Sequence, residues 1–446
     1  MSFRKGLVFL IALLMVLGLL AGCGGSKTAS EAKATNETRE AAPEAAKETS
    51  DASKDNNQAK QKLTFWTLQQ ADINIEAAQK AAVKEFETAN NCMIEVTAFP
   101  YVELRDKMLA AVAGGQGPDL LLLDQIWVPQ YAAAKFVIPI DDRLSNSSIK
   151  ADDYFPGAWG AGSYLGKTYG VPFDVGVWAL MYYNKTMFKE AGLDPEKPPQ
   201  AWDEFLKIGK QLTKNGKYGT AIWVGAGDAV QCMTDAFTFS AGGKIIDETG
   251  KKALLNSEAG IKALEFYKAC AEISPPGTVG RSEEDSFKLF TSGQVAMFFY
   301  GEWGQDTIKS RAPDMDYGVA LLPMPEGGQS VGTFGGFNIG INEKCENKDL
   351  AWKFIEFATG KDAEMKITML TPAHKEAAKE YLKQKRKFPD VIFQQLTTAS
   401  YRPSVPNYPE IADVQRIATQ KILLGEAKVK DALDEAAKNI DALLNK

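Results

Sequence analysis

Between Leu63 and Asp124 the spacing of apolar residues keeps switching between strand and helix, and few folds accept that pattern. Leu63-Thr-Phe-Trp-Thr67 is an apolar, aromatic run of strand length. Ile75, Ala78, Ala82 and Phe86 then recur at helical spacing within 75–90. Ile94-Glu-Val-Thr-Ala-Phe99 alternates, and Leu104, Met108, Leu109 and Val112 return to the helical period. After the loop Gly114-Gly-Gln-Gly-Pro118, Leu120 to Leu123 form a continuous apolar run that ends at Asp124. Strand, helix, strand, helix and fully buried strand predict an α/β unit with a largely parallel sheet.

The alternation recurs downstream. Val171 to Tyr183 reads as one strand, and Trp202, Phe205, Leu206, Gly209 and Leu212 mark a helix. Further strands are expected at 220–224, 295–300, 317–322 and 337–341, and Val429, Leu433, Ala436, Ile440 and Leu443 form the stripe of a closing helix. No internal repeat is visible, which excludes a solenoid. A chain of 446 residues is too long for one compact core, so two α/β units are expected.

The amino terminus has a different character. Arg4 and Lys5 precede an apolar run from Leu7 to Leu20, which is too short for an ordinary membrane span and reads as a signal peptide over 1–22. It ends in Leu20-Ala21-Gly22-Cys23, which resembles the lipobox of bacterial lipoproteins. That resemblance implies a diacylglycerol on the Cys23 thiol and a protein held on the extracytoplasmic face of the cell membrane; the alternative is a non-lipidated signal peptide. From Gly24 to Lys62 there is no Leu, Ile, Val, Met, Phe, Tyr or Trp, so 23–62 cannot bury enough apolar surface to offset its ordering entropy. It reads as a disordered tether reaching on the order of 35 Å as a random coil, with the folded body beginning at Leu63.

Composition removes whole classes of function. Asp and Glu outnumber Lys and Arg by 57 to 51, which excludes a general nucleic-acid binder. His374 is the lone histidine, so His-rich zinc sites and multi-histidine iron centres are excluded. It precedes a Lys-rich helical segment and reads as a solvated surface residue. The five cysteines contain no C-x-x-C, which removes zinc ribbons and thioredoxin-type motifs. Neither a metal nor a cofactor is expected.

Several stretches, in order, resemble the family 1 extracellular solute-binding proteins of ABC importers, the group containing maltose-binding protein. They are Gly117-Pro-Asp-Leu-Leu-Leu-Leu-Asp124; Gly170-Val-Pro-Phe-Asp174 followed by Leu180-Met-Tyr-Tyr-Asn-Lys185; Pro198-Pro-Gln-Ala-Trp-Asp-Glu-Phe205, where Gln200 replaces the usual Thr; Phe290-Thr-Ser-Gly-Gln-Val-Ala-Met297 with Gly301-Glu-Trp303; Gly335-Gly-Phe-Asn-Ile-Gly-Ile341; and Arg402-Pro-Ser-Val-Pro-Asn-Tyr408. The resemblance implies a two-lobe, periplasmic-binding-protein-like fold with a multi-crossing hinge and a ligand cleft between the lobes. Carried onto this chain, the amino-terminal lobe is 63–174 with 323–370 and the carboxyl-terminal lobe 175–322 with 371–446. It also implies a sugar ligand, leaning to an oligosaccharide, an ABC permease as partner, a monomer and no enzymatic activity. Cys92 and Cys345 then share one lobe and Cys232 and Cys270 the other; two disulfides and four buried free thiols fit equally.

In open α/β sheets ligands sit beyond the carboxyl ends of strands. That rule selects Trp66 at the end of the first strand, Gln69 and Gln70 in the loop after it, Asp124 at the end of the third, and Asp174 at an expected crossing. It also selects Trp223 after the strand from Thr220 and Trp303 after the strand ending at Tyr300, with Gly336 and Arg402 added from the late motifs. Aromatic faces for the C–H side of a sugar ring, with Asp, Gln and Arg for its hydroxyls, make a sugar site. Each residue keeps a bland alternative. The tryptophans can be core filler, Asp124 a turn cap, Asp174 a hinge hydrogen-bonder, Arg402 a structural partner and Gly336 a close backbone approach. Trp127, Trp159, Trp178, Trp202 and Trp352 are assigned to packing. The alternative ligands are a polyamine or glycerol phosphate, and a less favoured function is an anchored carbohydrate hydrolase.

Overall fold

The computed structural model describes residues 60–69, 73–225 and 229–445. The expected signal peptide, Cys23, the tether as far as residue 59, and Gln70 lie outside the described residues. The strands are β1 (Gln61–Leu68), β2 (Cys92–Phe99), β3 (Leu120–Asp124), β4 (Ser163–Tyr164), β5 (Lys167–Thr168), β6 (Gly170–Trp178), β7 (Leu180–Asn184), β8 (Met297–Tyr300), β9 (Tyr317–Ala320), β10 (Thr333–Ile341) and β11 (Thr371–Pro372). β1 starts at Gln61, inside the segment expected to be tether.

The main sheet has the order β11-β6-β10-β3-β1-β2. β1 runs parallel to β2 and to β3, as the alternation of strand and helix requires. The largely parallel expectation fails beyond β3, because β10 runs antiparallel to both β3 and β6, and β11 antiparallel to β6. β3 explains its unbroken apolar run: Leu120, Leu121, Leu122 and Leu123 are all fully buried, and each contributes about 2–3 kcal/mol over exposure. In β1 the period of two is visible directly. Leu63, Phe65 and Thr67 are buried, whereas Thr64, Trp66 and Leu68 are half-buried on the other face. Phe65 meets Phe354 of helix Lys348–Ala358 with ring centroids 5.6 Å apart, and Phe86 of helix Ile73–Asn90 closes on the same ring at 5.2 Å.

The second sheet, β8-β7-β9, is antiparallel throughout. Its core is aromatic. Phe205 of helix Trp202–Leu212 stacks on Phe299 at 4.8 Å, and Trp202 stacks on Phe266 at 4.5 Å. Of the stripe read around Trp202, Trp202, Phe205, Gly209 and Leu212 are buried while Leu206 is half-buried, and Ile208 completes the buried face.

Three expectations need correction. The single strand at Val171–Tyr183 is two, because Ala179 takes φ +71° and the chain leaves the main sheet there and enters the second. Residues 220–224 form no strand. They are buried, but their donors are satisfied elsewhere: Thr220 N–H by Ile273 O, Ile222 N–H by Ser274 Oγ, Trp223 N–H by Tyr267 Oη and Val224 N–H by Thr278 O. An apolar run whose backbone is served by turns and side chains has no ladder to join. His374 is half-buried against Tyr154, with ring centroids 5.6 Å apart, and burial holds its imidazole below the ordinary value. Cys92, Cys232, Cys270 and Cys345 are buried free thiols, which decides against both disulfides.

Candidate ligand-binding site

Four segments meet at one end of the main sheet: the ends of β3 and β6, the Gly335–Gly336 pair of β10, and the loop around Arg402. Register puts Phe337 opposite Asp124 on one side and Asp174 on the other, with Gly336 opposite Val175 and Gly335 opposite Gly176. The Gln125 side chain donates to Phe334 O, its backbone N–H donates to Gly336 O at 3.2 Å, and Phe334 N–H donates to Ser400 O at 2.9 Å. The loop carrying Arg402 is thereby stitched to β10.

On the β3 side is a polar group. Asp124 caps the following turn by accepting from Ile126 N–H at 3.1 Å and also accepts from the Tyr101 hydroxyl at 3.0 Å. The Arg402 guanidinium stands 3.8 Å from the same carboxylate. Tyr101 stacks on Trp127 at 5.3 Å yet remains 41% exposed, so its ring and hydroxyl reach the open side.

On the β6 side is an aromatic corner. Trp178 ends β6 and Trp303 follows β8; their rings meet edge to face, 4.5 Å apart and 80° inclined, and both are half-buried. Glycines make the room. A Cβ at Gly301 would lie 2.1 Å from the Trp303 ring, and one at Gly335 would lie 3.1 Å from Trp178 Nε1. The Trp178 ring lies over Gly335, two residues along β10 from the Phe337 that faces Asp124. Two partly open indoles at right angles thus share this end of the sheet with a carboxylate, a guanidinium and a phenol, which suits a ligand with an apolar ring face and hydrogen-bonding edges.

The other expected residues fall as follows. Trp66 lies within β1 rather than at its end, edge-on to Phe99 at 5.4 Å and level with Leu121, so it is roughly 10 Å short of Asp124 along the strands. Gln69 is exposed just beyond β1, and continuing that register sets it level with Asp124. Asp174 is buried beneath the cluster, accepting from Phe337 N–H at 3.0 Å. Burial pushes its carboxyl up to about 8, against the opposing pull of the Phe337 and Met369 N–H groups, with Glu302 and Asp124 adding to the rise. Gly336 has φ +128°, and a Cβ there would lie 2.3 Å from Asp174 O. It is a glycine because β6 is so close, and its bare side faces that strand. Trp223 is fully buried and stacks on Phe298 at 5.3 Å, so its ring is part of the second sheet's core.

Sequence reasoning missed Trp178 and Tyr101. Trp178 was hidden inside what reads as one long strand, and the positive φ at Ala179 that ends β6 leaves no mark in apolar spacing. Tyr101 follows Pro100 at a helix start, a position that presents a side chain to the strand ends. A depression of about 530 Å³ bounded by Gly242, Gly243, Lys244, Ser257 and Lys262 is separate from this cluster and has no aromatic lining.

Comparison with known proteins identifies the family and the fold. The family model described as bacterial extracellular solute-binding protein matches residues 71–365. A binding protein of Brucella abortus is 29% identical over 378 residues, covering 81% of this chain and 89% of the relative. Among solved structures, an ABC transporter solute-binding protein from Thermotoga lettingae bound with alpha-D-tagatose is 30% identical with a TM-score of 0.72, covering 86% of this chain and 100% of that one. The cyclic alpha-maltosyl-1,6-maltose binding protein from Arthrobacter globiformis is 25% identical with a TM-score of 0.74, covering 86% and 99%.

Proposed function

Because the chain belongs to the bacterial extracellular solute-binding proteins, we propose that it captures a sugar between two lobes and hands it to the permease of an ABC importer. The observation that carries the sugar reading is the Trp178–Trp303 corner at the same end of the main sheet as the Asp124, Arg402 and Tyr101 group. Indole faces take the C–H side of a pyranose or furanose, and the polar group takes its hydroxyls. The relatives from Thermotoga lettingae and Arthrobacter globiformis, with tagatose and a cyclic maltosyl-maltose, support the same ligand class.

In this reading the lobes are 63–174 with 323–370 and 175–322 with 371–446, and the stretch Asp174 to Val177 within β6 is one of the hinge crossings. Ligand contacts on both sides favour the closed form, which the permease recognises, so capture and delivery are two outcomes of one population shift. The lipid on Cys23 and the tether keep the receptor at the membrane where that permease sits.

The test is a thermal-shift and calorimetric screen of the body, residue 60 onward, against mono- and oligosaccharides, polyamines and phosphorylated polyols. A sugar present at a hundred times its dissociation constant raises stability by about 2.7 kcal/mol, or about 3 °C in Tm at this size, and is recovered intact. A response confined to polyamines or phosphorylated polyols overturns the sugar, and turnover of the sugar overturns the receptor.

A further inference from the structure

Glu302 stands between the two sheets with no exposed surface, and its contacts reach each segment that meets there. Its backbone N–H donates to Val177 O of β6 at 3.1 Å. Its Oε1 accepts from the Thr371 hydroxyl of β11 at 2.7 Å and faces the Arg386 guanidinium at 3.8 Å. Arg386 closes helix Lys375–Lys385, is itself buried, and donates to Asp306 at 2.6 Å on the outer side. Lys387 N–H donates to Gln305 Oε1 at 3.0 Å, so this stretch is strapped over the first turn of helix Gly304–Arg311. Trp303 is the next residue after Glu302, and the bond to Val177 O adjoins Trp178. The backbone that carries one indole is thus tied to the strand that carries the other.

A fully buried carboxyl is costly to hold unless its partners are in place, and here the partners come from β11 and from the end of a helix far along the chain. Ordinary packing would be served as well by an apolar side chain. What a carboxyl adds is directionality: Thr371 and Arg386 approach it along fixed lines, and the peptide bearing Trp303 is fixed with it. The contacts tie β6 and β11 of the main sheet to Tyr182 of β7 in the second, whose hydroxyl donates to Glu302 O at 3.3 Å.

We propose that Glu302, held by Thr371 and Arg386, is a positioning residue that sets Trp303 against Trp178 and so determines ligand affinity. It touches no ligand and acts through the indole beside it. The affinity part rests on the sugar-receptor reading above. The effect on Trp303 does not.

The experiment uses the body with Glu302→Gln, Thr371→Val and Thr371→Ser, each measured for Tm, for affinity toward the best sugar of the screen, and for the emission of Trp303. That emission is the difference between each protein and its Trp303→Phe counterpart, read without ligand. Glu302→Gln keeps an acceptor for Thr371 but removes the ionisable carboxyl facing Arg386. Thr371→Val removes the donor, and Thr371→Ser returns it. Losing the hydroxyl donor predicts about a tenfold or greater loss of affinity for Thr371→Val and recovery with Ser, and Glu302→Gln, which alters the group facing Arg386, should lower affinity in the same direction. A shifted Trp303 emission in the unliganded protein accompanies the loss. Asp306→Asn is the control: its side chain is 61% exposed, so its pair with Arg386 is screened, and affinity should stay within about twofold. If Glu302→Gln and Thr371→Val lower Tm but leave affinity and Trp303 emission unchanged, the residue is structural only and the proposal is overturned. If wild type binds no sugar, the receptor reading fails, and an unchanged emission in the variants would then overturn the positioning role separately.

Discussion

Asp174 is a carboxyl in the middle of a sheet, with one oxygen accepting from Phe337 N–H and burial holding its pKa near 8 rather than the ordinary 3.8. Between those two values the folded chain keeps a proton that the unfolded chain has released, so stability falls as pH rises through the window and levels off above it. Burial raises Glu302 and Glu364 as well, with the same sign. Asp174→Asn still accepts from Phe337 N–H and removes one of these groups. Its Tm should decline less than wild type between pH 5 and 8; identical slopes would mean Asp174 is ionised throughout. The glycine pair gives a second residue-scale contrast. Gly336→Ala forces a Cβ onto the β6 backbone at a φ that side chains avoid, and should cost roughly 2–3 kcal/mol. Gly335→Ala is tight only against the Trp178 ring, with Gly176 O at an ordinary 3.7 Å, so its effect should fall on affinity more than on Tm. The tryptophans divide in the same way. Trp223→Ala opens a cavity in the core and should cost about 3–5 kcal/mol, whereas Trp303→Ala should keep most of its stability and lose sugar affinity by at least about tenfold. Calorimetry on the two variants separates these outcomes.

At the scale of elements, sequence reading succeeded where the backbone pairs with itself and side chains alternate. Helix Trp202–Leu212 and β3 follow from spacing alone, because a stripe of period 3.6 or a fully buried run has few other ways to satisfy its backbone. It failed at 220–224 and at Ala179, where distant partners decide the conformation. The β4–β5 hairpin is a further case. Its two central residues, Leu165 and Gly166, have φ +47° and +74°, a turn that favours Asn-Gly, yet Leu165 occupies it while 79% exposed. Leu165→Asn should raise stability by about 0.5–1 kcal/mol, or about 1 °C in Tm; a lower Tm would show that backbone strain at the tip does not limit stability.

For the whole molecule, the sugar-receptor proposal entails closure of one lobe on the other. A saturating sugar should therefore reduce the radius of gyration measured by X-ray scattering, and an unchanged scattering curve at saturation would argue for a preformed, rigid site. The residues alone were enough to establish the α/β class, the alternation that builds the main sheet, the order of family motifs, and the end of β3 at Asp124. These are local properties: apolar period and turn chemistry act over a few residues, and the chain must respond to them wherever they sit. Only the tertiary structure decided that Trp178 and Trp303 form one corner, that Trp223 belongs to the core, that Asp174 is sealed beneath Phe337, and that Glu302 is gripped from β6, β11 and Arg386. Those contacts join residues far apart in the chain, and sheet order, register and the sharp turn at Ala179 bring them together. Each of these is a compromise among many partners at once, so no short stretch of sequence carries it.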